Sequence, residues 1–88
     1  MKIVRSKSPR AFIADWISDR DLAEAVDDPD RYEFSIDGQV RKILGLARFE
    51  DPSRAVLLEV WYVESGEVAF VFFADEASAE GLDLWTSE

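Results

Sequence analysis

The side chains that this sequence offers for chemistry are carboxylates, hydroxyls, amines and guanidinium groups, because it contains no histidine and no cysteine. Histidine is the commonest general base near neutral pH, and cysteine supplies thiolate nucleophiles, zinc ligands and disulfides. Serine–histidine triads, cysteine–histidine dyads and thiolate zinc sites are therefore excluded for this chain. We expect a protein that is not an enzyme and that carries no cofactor and no metal.

Two groups of aspartates come closest to a catalytic or metal site. Asp15 and Asp19 stand four residues apart, a spacing that puts two side chains on one face of a helix. One short helix supplies no cleft for an acid–base pair, so we interpret them as a solvated face. Asp27, Asp28 and Asp30 form the densest acidic cluster, but their spacing matches no calcium-binding loop. We interpret that cluster as the loop that ends a helix.

The charges are segregated along the chain, which has 88 residues and a formal net charge of -9. Residues 1–14 carry four basic groups and no acid, whereas residues 55–88 carry eight acids and no basic group. An anionic surface repels nucleic acid and acidic membranes and speeds the encounter with a basic partner. The alternative interpretation is that the acidity only keeps a small protein soluble.

The length and the absence of linkers predict one domain over residues 1–88. Lys2 to Arg5 is the first predicted strand. Ser8–Pro9 then has the pattern of a helix start, and an apolar stripe follows at helical spacing. The pattern leaves open one bent helix to about Val26 or two short helices that restart at Ser18 or Asp19. Asp28–Pro29 ends the helical region. The stripe consists of Phe12, Ile13, Trp16 and Ile17.

The alternation of apolar residues predicts strands from Tyr32 onward. The Tyr32–Ile36 strand is joined by a turn at Asp37–Gly38 to a strand over Val40–Phe49, with Gly45 as a candidate bulge. Asp51–Pro52–Ser53 is a predicted turn. A second hairpin, closed at Ser65–Gly66, has arms over Ala55–Glu64 and Glu67–Phe73.

A short helix is predicted after this hairpin, capped by Asp75 and ending at Gly81, with an edge strand over Leu82–Trp85. The fold class is α+β. We expect an N-terminal helix, bent or split, packed on a mostly antiparallel meander of four to five strands, followed by the short C-terminal helix.

The second hairpin allows its side chains to be assigned to two faces. If Glu64 pairs with Glu67, one face is wholly apolar and packs on the N-terminal helix through Phe12, Trp16 and Ile17. That face carries Val56, Leu58, Val60, Tyr62, Ala69, Val71 and Phe73. The other face carries Leu57, Glu59, Trp61, Val63, Val68, Phe70 and Phe72.

The face that carries Trp61 has two interpretations. The C-terminal segment with Leu82, Leu84 and Trp85 covers it, or it stays exposed and marks an interaction site. Trp16 is expected in the core, because aromatic side chains supply much of the buried area of a small domain. Trp85 is either a lid on the core or an exposed anchor.

From these observations we expect a cytoplasmic protein-binding module without a membrane span. Its size and acidity resemble, on composition alone, those of small inhibitors such as anti-CRISPR proteins, immunity proteins and antitoxins. The expected partner is a basic, nucleic-acid-handling protein, and direct binding of nucleic acid is disfavoured. The alternative is a homodimeric scaffold or adaptor that associates through the face around Trp61 and Phe70. The candidate partner-binding residues are Asp15, Asp19, Asp27, Asp28, Asp30, Glu59, Trp61, Glu64, Glu67, Phe70, Asp75, Glu76 and Glu80.

Overall fold

The structure, a computed structural model, describes residues 1–48 and 55–87, apart from the side chains of residues 35–37. The predicted turn at Asp51–Pro52–Ser53 lies outside the described residues. In chain order the elements are β1 (Lys2–Arg5), β2 (Phe12–Ile13), α1 (Asp19–Asp27), β3 (Tyr32–Asp37), β4 (Val40–Ala47), β5 (Val56–Ser65), β6 (Val68–Glu76) and α2 (Ala79–Thr86).

The strands form one mixed sheet in the order β1–β6–β5–β4–β3, with β2 also paired to β6. Strands β3 to β6 form the predicted antiparallel meander. Strands β1 and β2 run parallel to β6 along the same edge. The α+β class is confirmed, but the sheet has six strands instead of four or five, because two N-terminal segments join β6.

The segment after Ser8 is a strand and not the predicted first helix. Phe12 and Ile13 pair with Phe73 and Ala74 of β6. The hydroxyl of Ser8 accepts a hydrogen bond from the nearby Arg10 N–H at 3.2 Å and caps no helix. An isolated helix of two turns is marginal in water, and the edge of β6 offers backbone partners instead. This pairing outweighs the local helical spacing.

Helix α1 begins at Asp19 with Ser18 as its N-cap, which agrees with the alternative of a helix that restarts at Ser18 or Asp19. The Ser18 hydroxyl accepts from the Asp21 N–H at 3.1 Å, and the Asp21 carboxylate accepts from the Ser18 N–H at 2.9 Å. This is a capping box, which satisfies two backbone donors at the helix start. At the other end, the Asp28 carboxylate accepts from the N–H groups of Asp30 and Leu46, at 2.9 and 3.0 Å. Asp28 thereby ties the end of α1 to β4.

Gly45 in β4 allows α1 to lie close to the sheet and is not a bulge. A Cβ atom at this position would overlap the carbonyl oxygen of Ala25. Leu22, Ala25 and Val26 of α1 are buried against this face. We call it the inner face. The main buried side chains of the core between this face and α1 are Ile17, Leu22, Val26, Ile43, Leu58, Val60, Tyr62 and Val71.

The β5–β6 hairpin turns at Gly66–Glu67, where Gly66 has a φ of +60°. Val63 therefore lies opposite Phe70, and not opposite Val68 as predicted. The shift is by two residues, so the assignment of most side chains to faces is preserved. A bulge at Phe72 changes it beyond that point. Tyr62 pairs with Val71 but Trp61 pairs with Phe73, so Phe73 lies on the same face as Trp61 and its predicted inner position is wrong.

The C-terminal residues 82–85 are helical, so the predicted edge strand is wrong. Helix α2 is capped by Ser78, whose hydroxyl accepts from the Gly81 N–H at 3.2 Å, while Asp75 belongs to β6. Gly81 is buried inside the helix and does not end it. A Cβ atom there would lie 3.3 Å from the Leu44 side chain, so the small residue lets α2 rest on the sheet.

Candidate interaction surface

The face of the sheet opposite α1, which we call the outer face, carries a group of mutually packed aromatic rings. The ring centroids of Trp61 and Phe73 are 4.5 Å apart, and Phe12 and Phe73 are separated by 6.1 Å. Phe72 contacts Trp61 edge-on at 6.2 Å. Phe70 follows on the same face and is 43% exposed, and Phe12 is 52% exposed. These rings define the aromatic patch: Phe12, Trp61, Phe70, Phe72 and Phe73.

Helix α2 covers a different part of the outer face, so Phe12 and Phe70 stay exposed while Trp61, Phe72 and Phe73 are half-buried. Trp85 packs on the small cluster of Leu44, Leu57 and Ala77. Trp85 is therefore a lid on this cluster, one of the two roles that the sequence left open. The cluster is on the same outer face, at the end away from Phe70: Leu44 lies opposite Glu59, and Leu57 precedes Glu59 by two residues on β5. The sequence left open whether the C-terminal segment covers this face or leaves it exposed. In the structure, the segment covers one part of the face and leaves another part open.

Trp61 is held in the centre of the patch by two polar neighbours. Its indole N–H donates to the Glu59 carboxylate at 2.7 Å, and the Lys42 ammonium lies 4.2 Å from its ring centroid. Lys42 is directly opposite Trp61 on β4. A cation over an indole ring is stabilised by the ring quadrupole. These contacts fix the orientation of Trp61, so the surface it presents is preorganised.

Acidic side chains border the patch where β6 ends. Glu59 and Asp75 lie directly opposite each other on β5 and β6, whereas the next residue, Glu76, pairs with Leu58 and so lies on the inner face. Asp15 comes next to Ala14, whose N–H donates to the Ala74 carbonyl at 2.9 Å, so this acid lies beside the same end of β6. Helix α2 follows after residues 77–78 and adds two more carboxylates. Together the outer-face acids form the anionic rim: Asp15, Glu59, Asp75, Glu80 and Asp83.

Four of the acids that the sequence analysis selected are engaged within the molecule. Asp19 forms an ion pair with Arg5 at 2.6 Å, and Asp27 with the amino group of Met1 at 2.5 Å. Glu64 lies 3.4 Å from Arg41. Asp28 is only 5% exposed and accepts two backbone hydrogen bonds, so it has no surface to offer a partner. Each of these four carboxylates therefore interacts with a group of the protein itself.

Two further selected acids are exposed but lie away from the patch. Asp30 is in the loop after α1, and Glu67 is in the β5–β6 turn. The structure therefore brings together only part of the predicted set. It adds Phe12, Phe73, Lys42 and Asp83, which sequence reasoning missed. Phe73 joins the patch through the bulge at Phe72, for which the strand sequence gives no signal.

Trp16 and Phe12 are not core residues as predicted. Trp16 is 48% exposed, and of the three side chains expected to contact the inner face only Ile17 is buried. The chain crosses the sheet edge as strand β2, so the helical spacing of these residues does not apply. Exposed large aromatic side chains are characteristic of interaction surfaces.

Tyr62 lies on the inner face and is only 1% exposed. Burial raises the pKa of Tyr62, and the nearby Arg31 and Arg41 partly offset that effect. Arg41 also lies 3.7 Å from Glu33 and 3.4 Å from Glu64, so it joins two acids at this end of the sheet. These groups lie on the side opposite the aromatic patch. We interpret them as a structural charge network.

The part of the chain that the structure describes contains no group of three or more acids placed to hold a metal ion. Across residues 1–48 and 55–87, neither helix combines the length and the apolar character needed to cross a membrane. No protein-family model, no curated protein and no solved structure matches this chain. Its function therefore has to be inferred from the patch and the rim themselves.

Proposed function

We propose that this protein is a non-enzymatic module that binds a basic, nucleic-acid-handling protein in the cytoplasm and inhibits it. The observation that supports this is the partly exposed aromatic patch beside the anionic rim. Protein interfaces depend on a few aromatic anchors, and charges at their margins set the rate and specificity of association. The patch supplies the anchors and the rim supplies the charge.

A basic partner is favoured by the charge of the whole chain as well as by the rim. The net charge is -9. Within the described residues, Glu59 and Asp75 each accept one hydrogen bond, and the carboxylates of the other rim acids form no hydrogen bond or ion pair. Carboxylates spaced along the rim would oppose the arginine and lysine residues with which the partner binds phosphates. Occupation of that site would inhibit the partner.

The test is capture from source-cell lysate with the tagged protein at low and at high salt, using three variants. Phe70→Ser alters the patch, Glu80→Lys with Asp83→Lys alters the rim, and Asp30→Lys is a charge-changing control elsewhere on the surface. We expect one stoichiometric basic partner that both the patch variant and the rim variant fail to capture. High salt should weaken capture, because rim charges are screened.

The control should retain the partner, and all three variants should keep the circular dichroism spectrum of the parent. The captured protein is then assayed for nucleic-acid binding with increasing amounts of the parent protein. Loss of nucleic-acid binding at equimolar ratio supports inhibition. Capture that neither variant changes, or no specific partner at either salt, would overturn the proposal.

The second candidate function is a homodimeric scaffold that uses the same aromatic patch. It is favoured by the exposure of Phe12 and Phe70, 52% and 43%, since two copies could bury these rings against each other. Light scattering after size exclusion separates the two candidates. A dimer that persists at high salt and dissociates in Phe70→Ser supports the scaffold, because apolar burial is not screened.

A further inference from the structure

Glu59 and Asp75 form an opposed pair of carboxylates at the margin of the aromatic patch. They are directly opposite each other on β5 and β6, next to the opposed pair of Trp61 and Phe73. Like charges in this arrangement destabilise an antiparallel sheet. Neither carboxylate forms an ion pair with any residue in the ranges 1–48 and 55–87. The pair is an uncompensated negative centre.

Each carboxylate has one oxygen engaged and one available. Glu59 Oε2 accepts from the Trp61 indole N–H at 2.7 Å, and Asp75 Oδ1 accepts from the Glu76 N–H at 2.8 Å. Within the described residues, no hydrogen bond is made to Glu59 Oε1 or to Asp75 Oδ2. Two acceptor atoms therefore remain on adjacent strands, beside the rings of Trp61 and Phe73.

The cation that lies over Trp61 does not neutralise this pair. Lys42 extends over the Trp61 ring at 4.2 Å from its centroid and forms no ion pair among the described residues. The Trp61 ring therefore already holds one cation. The same ring system continues through Phe73 to the half-exposed Phe12. Aromatic surface and free carboxylate oxygens are thus adjacent.

We propose that this part of the outer face binds an arginine side chain of the partner, with its guanidinium group against the Phe73–Trp61 rings and bridging Glu59 and Asp75. This inference rests on the proposed function, because it specifies the chemistry of the basic partner. A guanidinium group is planar, stacks on aromatic rings and donates several hydrogen bonds in a fixed fork. A lysine ammonium lacks the flat surface, and Ca²⁺ requires six to eight oxygen ligands.

The probe is the peptide acetyl-Leu-Arg-Leu-amide, compared with otherwise identical peptides that carry lysine or the uncharged citrulline. Binding to the full chain is followed by NMR through the indole N–H signal of Trp61, assigned with Trp61→Phe. This signal is informative because the indole N–H donates to Glu59. We expect a saturable shift with the arginine peptide, weaker binding of the lysine peptide and no shift with the citrulline peptide.

The variants Glu59→Gln and Asp75→Asn remove one charge each but keep an oxygen that accepts the existing hydrogen bond. Each should weaken binding of the arginine peptide about fivefold, the effect of losing one partly exposed charge contact. Asp30→Asn removes an equal charge in the loop after α1 and should leave binding unchanged.

Equal weakening by Asp30→Asn would overturn the inference, because it would indicate general attraction to an acidic protein. Absence of a Trp61 shift, or a shift with oligouridylate as large as that with the arginine peptide, would overturn it as well. The arginine site and the proposed function can fail independently of each other. If Glu59→Gln and Asp75→Asn still capture the partner fully while the patch and rim variants do not, the proposed function stands and the arginine site fails.

Discussion

The two faces of the sheet carry apolar side chains at alternate positions, yet they differ in how they are covered. The inner face presents Gly45 to helix α1, so the helix lies close enough to the sheet for Leu22 and Val26 to be buried. On the outer face, Trp85 of α2 packs on Leu44 and Leu57, while Phe12 and Phe70 stay exposed. The closed face therefore differs from the partly open one in how closely a helix can approach the sheet, and not in hydrophobicity alone.

The largest expected difference between the faces is in how much free energy of unfolding is lost when an apolar side chain is truncated. Leu22 in α1 is 0% exposed, so Leu22→Ala should lower the free energy of unfolding by about 3 kcal/mol. Phe70 is 43% exposed, and Phe70→Ala should cost under about 1 kcal/mol, although it removes more atoms. Urea unfolding followed by circular dichroism measures both. Equal losses would show that the aromatic patch is part of the core.

The close approach of α1 can be tested at Gly45. In a strand, replacing glycine with alanine normally increases stability, since it reduces the entropy of the unfolded chain. Here the added Cβ would overlap the Ala25 carbonyl oxygen, so Gly45→Ala should cost about 2 kcal/mol.

The matched control is Gly38→Ala in the β3–β4 turn, where nothing lies within 4 Å of the new Cβ but φ is +62°. Strain in the left-handed region should cost about 1 kcal/mol. Urea unfolding midpoints compare the two. A stabilised Gly45→Ala variant would contradict the close packing of α1.

The smallest effect is expected at alkaline pH. Burial raises the pKa of Tyr62 above its ordinary value of 10.0, so the folded protein holds the phenol proton more tightly than the unfolded chain. The resulting stability is fully present below the unfolded-state pKa and is lost as pH rises through the higher folded-state pKa. Tyr62→Phe has no such proton, so its free energy of unfolding should fall less steeply above pH 10. Parallel pH profiles of parent and variant would contradict this.

Sequence patterns predicted the elements that depend on local signals. The bounds of β1 agree with the prediction, and the Asp37–Gly38 signal correctly located the β3–β4 hairpin. One of the two alternatives, a helix that restarts at Ser18 or Asp19, agrees with the start of α1. Each of these depends on residues that are close in the chain.

Long-range contacts account for what the sequence missed. Phe12 and Ile13 have helical spacing, and only their pairing with the distant β6 makes them a strand. Phe73 reaches the aromatic patch through a bulge that the pattern of alternation cannot show. Gly81 has the appearance of a helix end, yet it lies inside α2 against Leu44. The candidate surface was thus predicted at Trp61 and Phe70, but its extent required the fold.

The pairing of β1 and β2 with β6 also has a consequence for biosynthesis. These two N-terminal strands find their only strand neighbour in residues 68–74, near the other end of the described chain. On a translating ribosome, the first 13 residues therefore remain without a strand partner until β6 has emerged.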